Sequence, residues 1–194
     1  DLLLRVDGAG LVFDPNPVVT ANDNTFRDPL ASAGSCGFGG TPLATIDGQR
    51  VSRTLRDITL AGGIHKLEGP FVRIVNFDAP AHLPPTEASA TAFNYSSADP
   101  RFEAVNVYYH IDTVQRYIQS LGITTAHNSP IPADAHDNSN GGGAFFSPLD
   151  GGLHFGDSGL CNPDRGEDGD VALHEYGHAI QNDQVPGWGL SPIH

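Results

Sequence analysis

Along the first 78 residues, short apolar and β-branched runs at 2–6, 51–60 and 71–77 are bounded by Gly, Pro and Asp, which predicts strands between loops. Asp14-Pro15-Asn16-Pro17 is a turn cluster, and residues 32–40 form a Gly/Ser-rich loop. Residues 79–98, rich in Pro, Ala, Ser and Thr, are a linker or an extended segment. The pattern then changes period. Asp99-Pro100 opens a helix, with an acceptor at the cap and proline where its missing N–H costs nothing. Val107, Ile111, Val114, Ile118 and Leu121 form one apolar stripe, and Gly122 stops the helix. His110 lies on it and is taken as structural. Residues 124–143 are polar and rich in Gly and Pro. Beyond them, apolar runs at 144–146 and 153–155 flank a Pro/Asp/Gly turn and predict a hairpin. The loop 156–169 carries Asp157, Asp164, Glu167 and Asp168; it is read as a solvated turn, with calcium binding as the alternative. The fold class is α+β, divided into a β-rich region 1–78, the segment 79–98 and a mixed region 99–194.

Composition narrows the function classes. The chain has 194 residues, of which 23 are Gly and 15 Pro, so turns and short elements dominate over long helical bundles. Acidic residues outnumber basic ones 23 to 10, for a net charge of −13, which repels nucleic acid and anionic membranes. No apolar run approaches the ~20 residues that cross a bilayer. Cys36 and Cys161 form one disulfide or remain free thiols; two cysteines leave both open. The chain begins at Asp1 with no signal-type apolar segment, as a processed or excised form would.

The chemistry concentrates in Asp170-Val171-Ala172-Leu173-His174-Glu175-Tyr176-Gly177-His178. On a helix, His174 and His178 project from one face and can grip one metal ion. Glu175 lies beside that face, where a carboxylate can move a proton between a metal-bound water and a leaving amine. Asp168 or Asp170 caps this helix, and Pro186 ends it. Asp170 also shares the face of both histidines, so it can orient a ligand from outside the coordination shell or hold another cation; capping is preferred. The rival reading is a surface helix with two exposed histidines.

Residues 168–178 resemble the zinc helix of the fungalysin family, secreted metalloendopeptidases related to thermolysin. The resemblance extends to Ala144-Phe145-Phe146-Ser147-Pro148-Leu149-Asp150-Gly151 and to the helix ending at Leu121-Gly122, covering roughly 99–185. It implies a secreted zinc endopeptidase acting on peptide or protein substrates. Zinc would be held by His174 and His178, Glu175 would be general base and acid, and Ala144 and Phe145 would lie on an edge strand where substrate docks. It also implies the first half of a thermolysin-like catalytic domain. The family's third zinc ligand is a Glu on a later helix, and no Glu follows Glu175. The expectation is therefore a chain cut before that ligand, inactive alone and partnered by its own missing second half; otherwise His194 or Asp183 completes the site. The alternative is a non-catalytic β-rich binding or structural module carrying a remnant zinc helix.

Overall fold

Glycine occupies two inward positions of the first strand, β1 (Leu4–Val12), because other chain segments press directly on its backbone. A Cβ on Gly10 would lie 2.7 Å from Val105 Cγ1, and one on Gly8 would collide with the Ala90 carbonyl. The computed structural model describes residues 4–138 and 141–186. β1 pairs antiparallel with β2 (Val51–Ala61), with a register shift between Val6 and Gly8. Three short helices, α1 (Pro17–Ala21), α2 (Ala33–Cys36) and α3 (Leu43–Asp47), fill the connection between them, so part of the Gly/Ser-rich stretch is helical. β3 (Ile64–Lys66) and β5 (Thr86–Glu87) complete the first sheet in the order β1-β2-β3-β5.

The second sheet has the order β4-β6-β8-β7 and joins strands from both sides of the segment 79–98. β4 (Val72–Val75) runs parallel to β6 (Ile131–Asp137), and β6 runs parallel to β8 (Gly152–Gly156). β7 (Ala144–Ser147) pairs antiparallel with β8 and forms the sheet edge, which is the hairpin expected from sequence. Residues 79–98 take the extended alternative. Ala90 and Phe93 carbonyls accept the β1 amides of Ala9 and Leu11, and Phe93 and Tyr95 are buried. The fold is mixed α+β, with two four-stranded sheets and five α-helices among the described residues.

The central element is α4 (Arg101–Ser120), which packs against β1, β2, β4 and β6. Asp99 starts it as expected, its carboxylate accepting the Arg101 amide at 3.0 Å. Its first three turns are buried nearly all round: Phe102, Val105, Val107, Tyr108 and Ile111 share one core with Leu55, Ile58, Val72, Ile131 and Phe155. The apolar stripe fades beyond Val114, and Leu121 is exposed, because the core ends before the helix does. Buried His110 faces the Phe13 carbonyl through Nε2 at 2.8 Å, the structural role expected of it, and burial holds its imidazole below the ordinary pKa.

Candidate metal centre

Helix α5 (Gly169–Gln184) carries the two histidines, and a single buried side chain on α4 fixes where it begins. Asn106 accepts the Phe13 amide at 3.0 Å and donates to the Gly166 carbonyl at 2.9 Å, stitching the end of β1 to the 3₁₀ turn Arg165–Glu167. The Gly169 amide donates to the Pro15 carbonyl at 3.0 Å. Gly169 has no room for a side chain, since a Cβ there would strike the His110 ring. Asp168 is the N-cap, its carboxylate accepting the Asp170 amide at 2.9 Å. Capping therefore falls to Asp168 and not to Asp170. Asp170 sits exposed in the first turn, where its charge suits the helix dipole, with Asn16 Nδ2 3.5 Å away.

Ala172, Tyr176 and Ala179 bury one face of α5 in the core, leaving His174 and His178 exposed on another. Their Nε2 atoms are 3.1 Å apart and their rings nearly perpendicular, at 85°. Two nitrogens at that spacing can both lie about 2.0–2.1 Å from one zinc ion. Glu175 is only 7% exposed, and its carboxylate lies within 4.8 Å of both histidine nitrogens. The three groups lie close enough together that they could hold a metal ion. Of the proposed substitute ligands, Asp183 is turned elsewhere, accepting the His127 amide at 2.9 Å, and His194 lies outside the described residues.

α5 packs against β7 and β8, so the sheet edge runs beside the histidine-bearing helix. Ala144 packs against the core. Phe145 lies on the opposite sheet face, its ring stacked on His154 at 4.4 Å between centroids. His154 is buried between Phe145 and Phe77, with Nδ1 2.6 Å from Asp137 Oδ2.

The acidic loop before α5 is a correction to the solvated-turn reading. Asp157 faces His136 at 2.9 Å, Asp164 accepts the Ser158 amide at 2.6 Å, and Glu167 is pushed up to about 8 by burial and by neighbouring Asp164. Burial likewise raises Glu103 well above the ordinary carboxylate range, with Asp164, Glu167 and Asp157 adding to it. Besides the α5 group, Glu103–His136–Asp157 and Asp78–Asp134–Asp137 bring potential ligand atoms within 4.8 Å of one another. Sequence reasoning missed both. The available signal was Asp134-Ala135-His136-Asp137, an unusual density of ligand types in a segment that turns out to be a buried strand. Cys36 and Cys161 form a disulfide that anchors the same acidic loop to α2. No helix among the described residues is long and apolar enough to cross a membrane.

Comparison with known proteins finds no matching family model and no matching curated protein.

Proposed function

We propose that this chain carries the metal-binding and proton-transfer groups of a zinc-dependent endopeptidase of fungalysin type. The observation that carries the reading is the pair of Nε2 atoms 3.1 Å apart on an exposed helix face, with the Glu175 carboxylate beside them. Zinc held by His174 and His178 would lower the pKa of a bound water towards ~7 and polarise a peptide carbonyl. Glu175 takes the proton from the attacking water as the new C–O bond forms. It delivers that proton to the amine as the C–N bond breaks. β7, the sheet edge beside α5, offers unpaired backbone groups to an extended peptide, which adds as a further strand. A third protein ligand, usual at catalytic zinc, would come from outside the group formed by the described residues.

The disulfide between residues 125 apart fits an oxidising compartment, and we propose a secreted or extracellular setting. The net charge of −13 argues against a nucleic-acid partner.

A second reading, a metal-binding module without turnover, is favoured by the small ligand set: two histidines and Glu175 among the described residues. Assay of an unfolded protein substrate separates the two. Internal cleavage that a chelator abolishes, zinc restores and Glu175→Gln eliminates supports the peptidase. Zinc binding at His174 and His178 without cleavage, with or without the remainder of a longer chain, supports the module.

A further inference from the structure

The Glu103 carboxylate is 3% exposed, and its Oε2 atom is buried with no hydrogen-bond partner. Its other oxygen lies 3.6 Å from His136 Nδ1, too far for a hydrogen bond. A carboxylate so placed either keeps its proton or takes a compensating positive centre, because an unpaired charge is costly to bury. The charges acting most on it, Asp164, Glu167 and Asp157, are all negative. Repulsion therefore adds to the burial cost.

His136, 6% exposed on β6, fixes what stands opposite. Its Nε2 faces the Pro100 carbonyl, which can only accept, so Nε2 carries a proton. Nδ1 faces Asp157 Oδ1 at 2.9 Å and Glu103 Oε1 at 3.6 Å, and once its proton is displaced it presents a lone pair between them. Three electron-rich atoms converge from three elements: the first turn of α4, the strand β6 and the loop just after β8. A second proton on His136 would satisfy Asp157 and leave Glu103 Oε2 bare. A divalent cation satisfies all three. Gly166 keeps the space beside Glu103 open, since a Cβ there would sit 2.9 Å from Oε2.

We propose that Glu103, His136 and Asp157 form a second divalent-cation site, separate from His174 and His178 and independent of the peptidase reading. An imidazole among carboxylates selects a first-row ion such as Zn²⁺ or Mn²⁺, whereas Ca²⁺ takes oxygen ligands throughout. The ion ties the loop 157–168 to α4 and β6 from inside, while the Cys36–Cys161 disulfide holds the same loop at Cys161. That loop ends at Asp168, the cap of α5, so the site locks the start of the histidine-bearing helix. Its role is structural.

The test uses the full chain with His174→Ala and His178→Ala combined, which removes the α5 ligands. This variant is expected to retain about one equivalent of Zn²⁺ or Mn²⁺ after desalting and to unfold at higher temperature when the ion is added. Adding Glu103→Gln should weaken the retained binding at least 100-fold and abolish the thermal shift. Should Glu103→Gln fail to fold, Asp157→Asn, at a side chain one-third exposed, gives the same readouts. The proposal is overturned if the double histidine variant takes up neither ion at millimolar concentration, since Glu103 is then held as a neutral acid. It is also overturned if Ca²⁺ alone raises the unfolding temperature, or if binding survives both Glu103→Gln and Asp157→Asn.

Discussion

The Tyr176 hydroxyl donates to Gln115 Oε1 at 2.9 Å in the buried contact between α5 and α4. Gln115 Nε2 in turn donates to the Ala126 carbonyl at 2.8 Å, so one amide side chain links α5, α4 and the segment after α4. Tyr176 immediately follows Glu175, and this link sets the rotation of α5 that turns the histidines outward. Tyr176→Phe should cost about 1–2 kcal/mol, because the Gln115 carbonyl is left buried and unpaired. Denaturant unfolding reads that loss; a change below about 0.3 kcal/mol would remove Gln115 from the positioning of α5.

Metal affinity should separate the roles of the α5 residues. His174→Ala or His178→Ala should lower zinc affinity at this centre at least 100-fold, as read by competition with a chromogenic chelator. Glu175→Gln should leave that affinity within a few fold. On the peptidase reading it should also reduce turnover by about 10²–10⁴, the range of general acid–base catalysis. Equal metal loss in all three variants would make Glu175 a ligand instead of a proton carrier.

One part of the pH dependence of stability follows from Glu167, whose carboxyl is raised from its ordinary value to about 8, first by burial and then by Asp164; Glu103, raised by burial, acts in the same sense. Below about pH 4.5 both folded and unfolded chains hold the proton. Between there and pH 8 only the folded chain does, so stability falls as pH rises, by about 1.4 kcal/mol per unit for one proton. His110 and His127, both held below their ordinary pKa by burial, act in the opposite sense near pH 6.5. The difference between wild type and Glu167→Gln isolates the carboxyl. In chelator, the variant should show a flatter fall in unfolding midpoint from pH 5 to 8. An unchanged profile would place Glu167 in water.

Replacing Cys36 and Cys161 together by Ser should cost about 2–5 kcal/mol, as expected for a crosslink that closes a long loop. The two residues are 125 apart in the chain. Hydrogen exchange should rise most in the loop 157–168 and the first turn of α5. Uniform loosening of all elements would count against a local anchoring role.

What was legible in the sequence was local. The histidine pair, the helix from Asp99, the hairpin around Pro148 and the end of α5 each rest on signals within a few residues. β6 was illegible because Pro130, Pro132, Asp134 and His136 have poor strand propensity; parallel pairing with β4 and β8 overrides it. The choice of Asp168 over Asp170 as cap accompanies a bond from the Gly169 amide to Pro15, more than 150 residues earlier, which no window around the motif contains. The acidic loop misled for the same reason. Asp157 and Glu167 look solvent-seeking until His136 and the start of α4 are folded against them.

Asn106 has a kinetic consequence as well. Its two bonds join residues 93 and 60 positions away, so neither forms until two long stretches of chain have closed on α4. Closure entropy must be met before such bonds contribute, and non-local contacts of this kind slow folding. Helix α4 has its signals within itself and can form early, whereas α5 is seated only when the end of β1 arrives. A refolding chain therefore gains helical signal before it gains a correctly aimed histidine pair, so on the proposed metal-site reading tight metal capture would mark the closing step of assembly.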